Sequence, residues 1–178
     1  DKIEKLKQKL EDAGPFAEPL EGVAFQYGFN SNKLKEILKY WKDDYLPKWS
    51  EQEKFLNSLP QFKTKIQGLD IHYIHAKPNV EAGVKVYPLL ILHGWPSSVR
   101  DFYKIIPMFT KKSNESFAFE VIAPSLPGFG FSDGAARKGL ASEKIAVVLR
   151  NLMLRLNFDK FYLQGGDWVN AIEFQRAF

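Results

Sequence analysis

The apolar run Phe161-Tyr162-Leu163-Gln164 is followed by Gly165-Gly166-Asp167-Trp168, and a glycine pair there lets a strand turn sharply into a helix. An acid at such a turn stands at the carboxyl end of a sheet, beside a helix N-terminus whose dipole keeps it ionised. This is the pattern of a nucleophile elbow, with aspartate in place of the usual serine. A carboxylate is a weak base but a sufficient nucleophile toward a strained or activated carbon. Attack of Asp167 on an epoxide or an alkyl halide would give an ester. A second turn, His93-Gly94-Trp95-Pro96, ends another apolar run at 87–92. Backbone N–H groups of Trp95 and Trp168 could then bind the oxyanion that forms when water cleaves the ester. Alone, Asp167 reads about as well as a helix N-cap after a Gly-Gly turn. The second turn, behind its own buried strand, favours the nucleophile. His93 reads as a structural hydrogen-bonder within its turn rather than as a base. Trp168 fits a pocket wall and core packing equally well.

Positioning such groups takes a sizeable core, and 178 residues with 45% hydrophobic and 15% aromatic content supply one. The balance of 25 Lys+Arg against 21 Asp+Glu is small and mixed along the chain. The N-terminal lysines Lys2, Lys5, Lys7 and Lys9 alternate with Asp1, Glu4, Glu11 and Asp12, as on a solvated helix face, so no nucleic-acid partner is expected. Absence of cysteine excludes disulfides and thiolate metal sites. His72 and His75, three apart in a strand, point to opposite faces and do not form a metal pair. No run of about 18 apolar residues exists to span a membrane, and no signal peptide is visible.

The first third carries helical spacing. Ile3, Leu6 and Leu10 share a face before Gly14-Pro15. Asn30 or Ser31 caps a second helix with the stripe Leu34, Ile37, Leu38 and Trp41, and Pro47 lies beyond it. Ser50 and Glu53 have capping-box spacing for a third helix that ends near Pro60. Strands then alternate with helices. Strands are expected at 68–75, 86–92, 119–123 and 161–164. One helix carries Phe102, Ile105, Ile106 and Phe109, and another carries Ile145, Val148, Leu149, Leu152 and Leu156 with Ser142 as its cap. The loop 124–132 contains the turn glycines Gly128 and Gly130. Strand–helix alternation implies an α/β fold with a mostly parallel, doubly wound sheet. With the elbow, this points to an α/β-hydrolase.

In this order the motifs resemble the microsomal-type epoxide hydrolases, and most of all their insect juvenile hormone branch. Tyr27-Gly28-Phe29-Asn30, Tyr40-Trp41 and Pro60-Gln61-Phe62-Lys63-Thr64 are similar to that family's helical N-terminal domain, and Gly68-Leu69-Asp70-Ile71-His72-Tyr73-Ile74-His75 to its first core strand. Asp44-Tyr45-Leu46-Pro47-Lys48-Trp49, Val99-Arg100-Asp101-Phe102-Tyr103 and Ser132-Asp133-Gly134-Ala135-Ala136-Arg137 point to the insect branch. The resemblance implies a helical domain at 1–66 and the N-terminal half of the hydrolase core at 67–178, with the cap and C-terminal strands outside this chain. It implies opening of a small lipophilic epoxide to a diol through an ester on Asp167, with the oxyanion turn at His93 to Pro96 and no cofactor or metal. It also implies location at the endoplasmic reticulum membrane.

The family's cap tyrosines, base histidine and orienting acid lie beyond the elbow, and nothing in this chain matches them. Val169 stands where the family has glycine, and such overpacking commonly costs about 1–3 kcal/mol. Ser97 also replaces a usual glycine. An alternative reading is therefore an inactive homologue that binds or regulates. A haloalkane-dehalogenase-like enzyme is disfavoured by the helical N-terminal domain and the His-Gly-Trp-Pro turn. A sheet that stops after the elbow strand leaves an apolar edge, which a C-terminal fragment or self-association would cover.

Overall fold

The computed structural model describes residues 1–111 and 116–167. The chain divides into two compact units, Asp1–Leu56 and Asn57–Phe178.

In the first unit, helix α1 (Lys2–Glu11) is capped by Asp1, whose carboxylate accepts the Ile3 N–H at 2.8 Å. Helix α2 (Ser31–Tyr40) takes Asn30, not Ser31, as its cap. The Asn30 Oδ1 accepts the N–H groups of Asn32 and Lys33 at 3.0 and 3.3 Å. The chain then stays helical through a π-turn (Trp41–Tyr45) and a 3₁₀ turn (Leu46–Lys48) into α3 (Trp49–Leu56). Pro47 lies in the first turn of the 3₁₀ segment, directly after the π-turn, and the helical run continues through it. Ser50 is consequently inside a helix and is not the cap that its spacing to Glu53 suggests.

The second unit is built on a five-stranded sheet of order β1-β2-β4-β3-β5. Its strands are β1 (Gln61–Ile66), β2 (Leu69–Ala76), β3 (Lys85–Leu92), β4 (Phe117–Pro124) and β5 (Tyr162–Gly165). Strand β3 runs parallel to β4 and β5, while β2 is antiparallel to β1 and β4. The sheet is thus parallel where the elbow strand joins it and antiparallel at the other edge.

Strand β1 is the element that sequence pattern does not reveal. Its run Gln-Phe-Lys-Thr-Lys-Ile lacks a clean apolar alternation, and it forms because a two-residue turn folds it onto β2. Ile66 pairs with Leu69, leaving Gln67 and Gly68 as the turn with φ of 49° and 86°. Two successive left-handed residues match the twist of the flanking strands.

Two further expectations are corrected. The helix expected through Phe102 to Phe109 is two short pieces, a 3₁₀ turn (Val99–Phe102) and α4 (Ile106–Thr110). Pro107 has no N–H for the carbonyl four residues back, which interrupts continuity. Helix α5 (Ser142–Arg155) has Ala141 at the cap position, so Ser142 is its first helical residue. The Ser142 hydroxyl faces Glu143 Oε2 at 3.5 Å rather than capping a backbone N–H.

Residues Leu89 to Leu92 are buried in succession because both faces of β3 are covered. Leu90 and Leu92 join Ile71, Ile122, Leu149, Leu152 and Met153 in the core between the sheet and α5. On the other face α4 packs against β4, with the Phe109 and Phe119 rings 5.6 Å apart. Among the described residues no helix is long and apolar enough to cross a membrane.

Candidate active site

Parallel pairing of β3 with β5 brings their carboxyl ends side by side, with Leu92 opposite Gly165. The two turns singled out in the sequence leave from those ends. Asp167 has φ of 61°, the left-handed conformation expected of the residue at an elbow. Its Oδ1 accepts the Trp95 N–H at 2.9 Å.

Gly94 makes that contact sterically possible. A Cβ there would lie 2.7 Å from the Asp167 Cβ and 2.9 Å from its Oδ1, inside van der Waals contact. The Gly94 carbonyl accepts the Ser97 N–H at 3.0 Å and closes the turn, in which the Trp95–Pro96 peptide is cis. Downstream, the Ser97 hydroxyl donates to the Asp101 carboxylate. The Ser98 hydroxyl caps the 3₁₀ turn by accepting the Arg100 N–H at 3.3 Å.

His93 lies behind this turn and is only 2% exposed. Its Nε2 accepts the Leu126 N–H at 3.1 Å, which requires the proton on Nδ1, and Nδ1 donates to the Gly94 carbonyl at 3.1 Å. Burial pushes the ring below the ordinary histidine range, opposed in part by the Gly94 carbonyl and the Asp101 charge. The ring is therefore a neutral brace between the end of β3 and the loop after β4.

Asp167, Trp95 and Gly94 are thus in direct contact, Pro96 completes their turn and His93 supports it from behind. Trp168 and Val169 lie outside the described residues. Pattern reading missed the wall beside the site. Trp95, Leu126, Phe129, Leu140 and Ile145 line an apolar cavity of about 700 Å³. Leu126 and Phe129 follow the carboxyl end of β4, the neighbour of β3. Ligands of open α/β sheets lie at such strand ends, so the Pro/Gly-rich loop after β4 carried a usable signal.

A carboxylate facing a turn N–H, at the carboxyl ends of adjacent parallel strands, is an arrangement that an α/β-hydrolase fold provides. Residues 87–168 match the alpha/beta hydrolase fold model. Residues 1–102 match the model described as epoxide hydrolase N terminus, and the chain belongs to that family. It is 53% identical over 167 residues to a juvenile hormone epoxide hydrolase of Bombyx mori, covering 93% of this chain and 36% of the relative. It is 49% identical over 173 residues to epoxide hydrolase 1 of Oryctolagus cuniculus, covering 94% of this chain and 37% of the relative. The crystal structure of the silkworm juvenile hormone epoxide hydrolase superposes with a TM-score of 0.94 at 52% identity, covering 98% of this chain and 46% of that one. The chain thus spans little more than a third of the curated relatives' length.

Proposed function

We propose that the protein is an epoxide hydrolase that opens a lipophilic epoxide, of the juvenile hormone kind, to a vicinal diol through an ester on Asp167. The observation that carries the reading is the 2.9 Å bond from the Trp95 N–H to Asp167 Oδ1. It divides the labour between the two carboxylate oxygens. Oδ2 attacks an epoxide carbon, the ring C–O bond breaks, and the released oxygen takes a proton from an acid. Oδ1 becomes the ester carbonyl oxygen, still held by the Trp95 N–H. Water then adds to Cγ, and the charge that develops on Oδ1 falls on a donor already in place. Collapse expels the diol oxygen, which takes up a proton, and restores the carboxylate. One such donor is typically worth about 2.7–4 kcal/mol of barrier.

The apolar cavity walled by Leu126, Phe129 and Ile145 suits an aliphatic substrate body, and the names of the relatives support the same class. Trp168 is proposed as the second oxyanion donor. The acid that protonates the epoxide oxygen and the base that activates water are proposed to lie beyond the elbow. Residence at the endoplasmic reticulum membrane is proposed from family resemblance. The outer edge of β5 is proposed to be covered by a further segment of the protein or, failing that, by self-association. A monodisperse monomer of residues 1–178 in ultracentrifugation, with a cooperative melt, would count against that covering.

The test of the reaction is a single turnover on a lipophilic epoxide in ¹⁸O-labelled water. The expected result is an enzyme adduct of the epoxide's mass, an unlabelled first diol and label retained in the peptide that contains Asp167. Diol formation that persists in Asp167→Ala would overturn the reading. Neither adduct nor diol would favour the binding or regulatory alternative.

A further inference from the structure

Behind the cavity wall lies a buried polar network that the proposed reaction does not use. His72 of β2 is 3% exposed and Ser125, just past β4, is fully buried. The His72 Nε2 faces Gln61 Oε1 at 2.8 Å, and Nδ1 faces the Ser125 Oγ at 2.9 Å. An amide oxygen only accepts, so Nε2 carries the proton and Nδ1 accepts from the Ser125 hydroxyl. Two backbone bonds lock the same pair. The Ser125 N–H donates to the His72 carbonyl at 2.9 Å, and the His72 N–H donates to the Ser132 Oγ at 2.9 Å. The Ser132 hydroxyl in turn donates to the Ser125 carbonyl at 2.7 Å. Gly130 lets the loop close over this group, since a Cβ there would lie 2.7 Å from the Ser125 Oγ.

A serine hydroxyl on a histidine that is itself held by an amide resembles a nucleophile and its base. Full burial of Ser125 removes it from any substrate, so that reading fails. What the network does control is the residue after Ser125. The Leu126 N–H is the group that binds His93 Nε2 at 3.1 Å, and His93 holds the Gly94 carbonyl.

Resting on the hydrolase reading above, we infer that His72 is a positioning residue. Through Ser125 it sets the Leu126 N–H, which fixes His93 and so aims the Trp95 N–H at Asp167. The path runs from the β1–β2 hairpin to the elbow through hydrogen bonds and the Ser125–Leu126 and Gly94–Trp95 peptide units, with donors and acceptors that match at every step. It is a path of placement and moves no proton.

The test uses His72→Asn, His72→Gln and Ser125→Ala in the protein as isolated from its source gene. Asparagine puts an acceptor where Nδ1 stood and keeps the Ser125 bond. Glutamine reaches the Nε2 position instead and loses that bond. The readouts are the His93 ring ¹⁵N and Trp95 amide resonances, together with the rate of ester cleavage. Expected are displaced resonances and about 10- to 100-fold slower cleavage in His72→Gln and Ser125→Ala. His72→Asn should retain parent-like resonances and rate even where its melting temperature falls as far as that of His72→Gln. Equal behaviour of the two His72 variants at equal stability loss would overturn the inference. So would unmoved resonances in Ser125→Ala. The resonances do not depend on turnover, so absence of epoxide hydrolysis in the parent would refute the activity and still leave the placement decided.

Discussion

The Trp95 N–H and Asp167 Oδ1 are 2.9 Å apart although 72 residues separate them in the chain. Neither turn makes this contact alone. It exists because β3 and β5 run parallel with Leu92 opposite Gly165, so both turns leave the sheet at one level. Gly94 then leaves the space that this close approach needs, since a Cβ there would lie 2.7 Å from the Asp167 Cβ.

Substitution of that glycine is the most selective probe of the site. Gly94 does not have a positive φ, so alanine fits its backbone, but the new Cβ would lie 2.7 Å from the Asp167 Cβ. We expect Gly94→Ala to slow ester formation about 100-fold, as misplacement near 1 Å does. Folding stability should fall by no more than about 1–3 kcal/mol. Stopped-flow kinetics on an epoxide beside a urea titration measures both, and parent-like kinetics would dismiss the close approach as functional.

Asp167→Ala should abolish the covalent adduct and lower turnover by about 10³-fold or more. Intact mass after quenching is the measurement. An adduct that survives would place the nucleophile elsewhere.

Stability should depend on two neutral histidines. Burial holds His72 below its ordinary value of 6.5, reinforced by the nearby Lys63 charge, and burial does the same for His93. As pH falls through about 6.5, the unfolded chain takes up these protons and the native chain does not. Stability is therefore complete above that value and declines as pH falls toward the native pKa values. The urea midpoint should be lower at pH 5.5 than at pH 7.5, with a shallower decline in His72→Asn. A midpoint that is flat over this range would contradict the assignment of both rings as neutral.

The hairpin turn offers a stabilising change. Gln67 holds φ of 49°, a conformation that asparagine tolerates better. Gln67→Asn should raise stability by about 0.5 kcal/mol, read as a higher midpoint with unchanged slope. A lower midpoint would mean that the glutamine side chain matters to the turn.

In the core, Leu149 is 1% exposed between α5 and the sheet. Leu149→Ala should cost about 2–5 kcal/mol, and a loss under 1 kcal/mol in thermal or urea unfolding would show that the site collapses around the gap.

The elements that position the site were largely readable because each carries a local cause. The continuous apolar run of β3 reports burial on both faces, and the α5 stripe reports one. The Gly-Gly-Asp and His-Gly-Trp-Pro stretches report backbone geometry that few residue types adopt. What local pattern did not report was set by partners. Strand β1 has two exposed lysines, and only the hairpin with β2 makes it a strand. Ser50 and Ser142 have the chemistry of caps, yet the chain around each continues or starts elsewhere.

The candidate site divides in the same way. Residue type and spacing alone determined that Asp167 and the turn from His93 to Pro96 could do chemistry, because nucleophilicity and turn-forming capacity belong to the residues. Only tertiary structure decided that Trp95 meets Asp167, that Gly94 must lack a side chain, and that His72 bonds Ser125 while the next residue, Leu126, bonds His93 behind them. Those relations depend on sheet order and register, which come from pairing between distant segments and leave no trace in any one of them.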